Sequence, residues 1–185
     1  LLKNGLYGEF FADLDACLIP FQDPARYGRS MLENSSFITC SRFFDANLRG
    51  NGFVARLSGA TAEFLHMLLI MNLGKDPFRL SSGEIAFEPR PVLRADFFTS
   101  AGREIDFSFR SGRKKVKLGA NSYAFSLFEH TLVIYRNPEM KDTFGPSGVK
   151  PVSYEVRYAD GAERSFEAAA LDAAASRDLR DGKID

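Results

Sequence analysis

The chain has 185 residues, 45% of them hydrophobic, with 24 basic and 24 acidic side chains that leave no formal net charge. That is material for one large domain or two small ones, and the balanced charge argues against a global attraction to nucleic acid or an anionic membrane surface. Two cysteines, Cys17 and Cys40, make neither a disulfide framework nor a CxxC or Cys/His metal cluster; as reduced thiols they point to the cytoplasm.

Leu1 is not a start methionine, and LLKNGLYGEFF reads as neither a signal peptide nor an anchor. RDGKID stops after a helical-looking run, so the chain reads as a section of a longer protein. Residues 6–19 place apolar side chains at 6, 7, 10, 11, 14, 18 and 19, a helical spacing that should end before Pro20. Glu9 and Asp13 lie four apart on that helix and read as a solvated face rather than a catalytic pair. Residues 20–36 carry two prolines and a glycine and predict a loop, followed by a short helix over 31–37. Arg26, Arg29 and Glu33 are long polar side chains in this irregular segment, where sites tend to gather. DAN and RGNG mark further loops before residue 57.

The most informative stretch is RGNGFVARLSGATAEFLHMLLIMNL, residues 49–73. A Ser58-Gly59 turn should open a helix running to about Leu73, apolar on nearly every face after Thr61 and interrupted only by Glu63, His66 and Asn72. Such a helix lacks a polar stripe, which predicts a core element covered from more than one side. At ~13 residues it falls short of the ~20 that a bilayer crossing needs. Ser58 suits an N-cap, Gly59 permits close backbone approach, and the first amides have no internal partners. With Arg49 and Arg56 just before it, that end should attract an anion.

Gly74 and Pro77 end the helix, and the period then changes from 3.6 to 2. EIAFEP, REIDFSF, KKVKLGA, SYAFSLF, TLVIYRN, VSYEVRY and ERSFEA predict seven short strands. Ile105, Phe107 and Phe109 should share a face, TLVIYR should be buried on both faces, and Asp160-Gly161 should turn a hairpin. Strands at this spacing without intervening helices predict an antiparallel two-sheet sandwich, with ALDAAASRDLR as a final helix.

Several enzyme templates are missing: no GxSxG, GxGxxG, Walker loop or HExxH occurs. His66 reads as a core histidine and His130 as a turn residue between strands. RSGRKKVK, with no aromatic inside it, reads as a solvated hairpin rather than a nucleic-acid patch. No metal site is expected.

Leu57-Ser58-Gly59-Ala60-Thr61-Ala62-Glu63-Phe64 resembles a motif in the C-terminal part of glycoside phosphorylases of the cellobiose phosphorylase family. There a Thr-Gly-Thr-Ala turn opens a late helix of an (α/α)6 barrel and helps bind inorganic phosphate. Here Ser58 stands for the first threonine and keeps its hydroxyl, Gly59 matches, Ala60 stands at the second threonine with Thr61 beside it, and Glu63 replaces the following aromatic. YGRSMLENSSFI (27–38) and GFVARLSGATAEFLHM (52–67) resemble the run between late barrel helices, and NPEMKDTFGPSGVKPVSYEV (137–156) resembles the closing sandwich.

The resemblance implies an α+β chain: residues 1–78 end an (α/α)6 barrel, and residues 79–185 form the antiparallel two-sheet β-sandwich with its C-terminal helix. It implies a parent enzyme that cleaves β-glucosides, with phosphate or water as acceptor and no other cofactor. Ser58, Gly59 and Arg56, with Arg29 and Glu33 as further candidates, would then bind substrate or phosphate. The family's general acid lies upstream, and no aspartate here matches its context, so no catalytic residue is assigned and the chain alone should be inactive. Its expected partners are an oligosaccharide, the upstream barrel and a further copy of itself. A non-catalytic carbohydrate-binding or assembly module is the alternative, and a purely structural shield supporting a dimer is the third reading. Without neighbouring barrel helices, the 60–73 helix should have exposed flanks and promote self-association.

Overall fold

The computed structural model describes residues 1–17, 23, 25, 37–54, 58–81 and 83–185. They form a mixed α and β chain with small antiparallel two-stranded sheets. Two compact units divide it, Leu1–Leu69 and Ile70–Asp185.

In the first unit, a 3-10 turn at Leu2–Asn4 leads into α1, Tyr7–Cys17. The helical spacing is realised: Phe10, Phe11 and Leu14 are buried along one face, and Glu9 and Asp13 are solvated on another. Residues 18–22 lie outside the described part, so the stop expected before Pro20 does too. The helix expected over 31–37 also lies outside it except at Phe37, which begins a strand instead. That strand, β1 (Phe37–Ile38), pairs antiparallel with β2 (Gly52–Val54). Neither is long enough to show a period of two.

Helix α2, Ser58–Leu73, begins at the expected turn and ends at the expected residue. Its C-terminal end is fastened with unusual completeness. A helix leaves its last four carbonyls without intrahelical donors, and here each finds one. Ile70 O accepts from Gly74 N–H, Met71 O from Val92 N–H, and Leu73 O from Arg90 N–H, at 2.8, 2.7 and 2.8 Å. Asn72 O accepts the Tyr135 hydroxyl at 2.7 Å. Ile70, Met71 and Leu73 are all buried. Gly74 makes this junction possible: its φ is +84°, and a Cβ there would meet Arg90 O at 2.5 Å.

The rest of α2 departs from the expected enveloped rod. Phe64, Leu65 and Leu69 are 37%, 55% and 51% exposed, and His66 is exposed rather than sealed in a core. An apolar circumference records that a helix has no dedicated water face, but it does not say which face is covered. Burial is concentrated in the last turn, where backbone partners fix the helix.

The second unit is a succession of hairpins. β3 (Phe78–Ser81) pairs with β4 (Glu84–Phe87), and β5 (Arg103–Phe109) with β6 (Gly112–Leu118). β7 (Ser122–Leu127) pairs with β8 (Thr131–Arg136), and β9 (Tyr154–Arg157) with β10 (Glu163–Phe166). All seven strands read from alternation are present; β3 is additional. Ile105, Phe107 and Phe109 are half-buried on one face of β5, while Glu104, Asp106 and Ser108 are exposed on the other. Thr131 is buried and Leu132 to Tyr135 are half-buried, so β8 is covered on both faces. Asp160-Gly161 turns the last hairpin: Gly161 has φ +91° and Ala162 N–H donates to Asp160 Oδ1 at 2.9 Å.

Helix α3, Ala173–Arg180, closes the unit. Asp172 caps it, accepting from Ala175 N–H at 2.7 Å. Ser176, fully buried, accepts from Phe87 N–H at 2.8 Å and donates to Leu171 O, so a single hydroxyl ties α3 to β4. The core beneath joins Leu73 of α2 to Phe87, Leu127, Val156, Leu171, Ala175, Leu179 and Ile184. The tail is also held, with Thr131 Oγ1 donating to Ile184 O at 2.7 Å and Asp185 N–H to Arg157 O at 3.0 Å.

Candidate functional site

The sequence-predicted site residues fall in the first unit. Arg29, Glu33 and Arg56 lie outside the described residues. Ser58 and Gly59 are the first two residues of α2, so Ser58 lies one position inside the helix rather than at the expected N-cap; their side-chain surroundings are not described. The last carbonyls of α2 are bonded by Gly74, by the Arg90–Val92 segment and by Tyr135.

Just before α2 in the chain, residues 39–51 form a closed loop between β1 and β2. Its base is zipped: Thr39 N–H donates to Asn51 O and Gly50 N–H to Thr39 O, both at 2.9 Å, and Thr39 Oγ1 adds a bond to Asn51 O at 3.2 Å. Inside, Asp45 caps the 3-10 turn Ala46–Leu48 by accepting from Asn47 N–H at 2.9 Å. Arg49 Nε donates to Phe43 O at 2.8 Å. Phe44 projects with 88% of its surface exposed, its ring centroid 4.3 Å from that of half-buried Phe43. Cys40, at the foot of the loop, is a free exposed thiol. Sequence reading passed over this loop as a turn; the adjacent Phe43-Phe44 pair, placed next to a turn signal, was the available clue.

In the second unit the polar centre is structural. Asn72, near the end of α2, accepts the Tyr123 hydroxyl on its side-chain oxygen at 2.7 Å, while Tyr135 bonds its carbonyl. Tyr154 donates to Ala169 O at 2.7 Å. Burial raises the Tyr135 pKa far above its ordinary value, with smaller contributions from Tyr154 and Tyr123. Burial and then nearby Glu88 raise Tyr154, and burial raises Tyr123. These phenols stay protonated at neutral pH and act as hydrogen-bond donors, unsuited to general-base work.

Other chemistry is sparse. Among the described residues no group of three or more His, Cys, Asp or Glu could hold a metal. His130 sits half-buried in the turn between β7 and β8. The basic run of β6 is a solvated hairpin, as expected: Lys115 pairs with Glu104 at 2.9 Å and Arg113 with Asp106 at 3.4 Å. An open depression bordered by Leu80, Glu84, Arg177 and Arg180 is spanned by the Arg177–Glu84 ion pair. Among the described residues no helix is long and apolar enough to cross a membrane. No protein-family model matches the chain, and no curated protein matches it.

Proposed function

We propose that the chain is the C-terminal section of a carbohydrate-active enzyme resembling the cellobiose phosphorylases, a glycoside phosphorylase or hydrolase acting on β-glucosides in the cytoplasm. In this reading α1 and α2 close an (α/α)6 barrel, and the hairpins after β3 assemble as a two-sheet sandwich against it. Ser58 and Gly59, with Arg56, Arg29 and Glu33, supply the acceptor subsite for inorganic phosphate, and the general acid comes from the barrel upstream.

The observation that supports this reading is the asymmetry of α2. Its last turn is buried and every terminal carbonyl is bonded, yet Phe64, Leu65 and Leu69 nearer its start stand exposed. A helix of this composition is suited to contact with further helices at its open flank, as barrel helices provide.

Incubation of the chain with cellobiose or laminaribiose, with and without phosphate, tests the division of labour. Neither glucose 1-phosphate nor glucose should be released, because the leaving oxygen has no proton donor. Turnover by the 185-residue chain contradicts it.

A further inference from the structure

The sequence holds two Asn-Gly pairs, Asn4-Gly5 and Asn51-Gly52, and the structure treats them unequally. We propose that Asn4 is a site of spontaneous deamidation, a covalent modification that the fold permits there and holds back at Asn51. The proposal is independent of the carbohydrate reading.

The chemistry is intramolecular. The backbone nitrogen of the following residue attacks the asparagine Cγ. An N–Cγ bond forms, the Cγ–Nδ2 bond breaks, and ammonia leaves with the proton that the backbone amide gives up. Water then opens the five-membered imide at either carbonyl, giving aspartate or, with the main chain rerouted through Cγ, isoaspartate. Glycine at the second position has no Cβ to obstruct the attack, so both pairs are intrinsically labile. What separates them is the local opening that ring closure demands.

At Asn51 that opening is opposed from several sides. Its N–H donates to Leu48 O at 3.0 Å, and its carbonyl accepts both Thr39 N–H and Thr39 Oγ1, at 2.9 and 3.2 Å. Its side-chain amide is turned to Asn47 O at 3.5 Å. Gly52 begins β2 and pairs with Ile38. Imide formation there must first undo the base of the 39–51 loop.

Asn4 stands differently. It is exposed, and among the described residues no hydrogen bond holds its side-chain amide. It ends a single 3-10 turn, Leu2–Asn4, closed by Asn4 N–H to Leu1 O at 3.0 Å and Gly5 N–H to Leu2 O at 3.2 Å. Such short turns have poorer hydrogen-bond geometry and open readily. Gly5 has φ +73°, with nothing within 4 Å of the place a Cβ would take, so no neighbour crowds the attacking nitrogen. The isoaspartate product adds one carbon to the main chain between buried Leu2 and α1, inside the span of the Leu6 N–H to Leu1 O bond.

Peptide mapping by mass spectrometry, after incubation of the 185-residue chain at mildly alkaline pH, tests this. In the folded chain the Asn4 peptide should convert from amide to acid about tenfold or more faster than the Asn51 peptide. In urea, where neither local structure survives, the two rates should draw together to within about threefold. Asn4→Gln should remove most of the acidic species that accumulate on ion exchange, with an unchanged melting temperature because the side chain is exposed. Equal conversion at the two sites in the folded chain overturns the proposal, as does faster loss at Asn51 or an Asn4 peptide that converts only in urea. A rate ratio that survives urea unchanged also overturns it, since sequence context and not the fold then sets the difference.

Discussion

At the scale of single residues, the second unit is held by a few polar groups that each close an otherwise unpaired backbone atom. Tyr135 is the clearest. Its hydroxyl bonds the Asn72 carbonyl in a half-buried setting, so Tyr135→Phe should cost about 1–3 kcal/mol by leaving that acceptor orphaned. Urea melts should show this, and a loss below that range places water on the carbonyl. Because its folded pKa lies above the ordinary 10.0, Tyr135 contributes stability below pH 10 that declines as pH rises further, when the unfolded state ionises and the folded state does not. Alkaline unfolding should therefore be shallower in Tyr135→Phe. Asp172 has the opposite sign. The Ala175 amide, opposed by slight burial and helped by Arg164, holds its carboxylate below 3.8, so its stabilisation is present above the ordinary value and fades as acid protonates it. Asp172→Ala should lose about 1 kcal/mol, and Asp172→Asn less, since an amide oxygen still caps.

At the scale of elements, α2 is defined by its C-terminal junction. Gly74→Ala combines φ +84° with a Cβ 2.5 Å from Arg90 O and should destabilise by roughly 1–3 kcal/mol. Thermal unfolding within 1 °C of wild type would show that this junction yields freely. At the other end, replacing Phe64, Leu65 and Leu69 with glutamine should change stability little, as surface substitutions do, and should suppress self-association in sedimentation velocity. A large drop in stability instead means those side chains are packed. The elements differ in how legible they were. Period-two segments such as REIDFSF and SYAFSLF translated into β5 and β7 at almost the residues read; β5 has one half-buried and one wet face, whereas β7 is covered on both faces except at Ser126. FRLS escaped because four residues after a proline carry too little alternation to register; its pairing with β4 makes it a strand. The burial of α2 was misread for the converse reason. Composition reports how much apolar surface a helix has, whereas the face that is covered depends on Arg90, Val92 and Tyr135, which lie 17 to 63 residues from their partners in the helix.

For the whole molecule, the division of α2 between two units gives the account its form. Residues 70–73 belong with the hairpins and α3, and the residues before them belong with α1 and the 39–51 loop. Ser58, Gly59 and Phe44 lie in the first unit, and residues 70–73 in the second. The start of α2 could be read from sequence because a small-residue turn and an apolar run are contiguous. The closed loop 39–51 could not, because its closure depends on hydrogen bonds among Thr39, Gly50 and Asn51, and from Arg49 to Phe43, that no local pattern announces. The most direct measurement is a phosphate titration of the 15N-labelled chain. The account predicts saturable shifts in the amides of Gly59, Ala60 and Thr61, lost in Ser58→Ala; shifts that persist in that variant, or amides that stay silent while phosphate is added, contradict it.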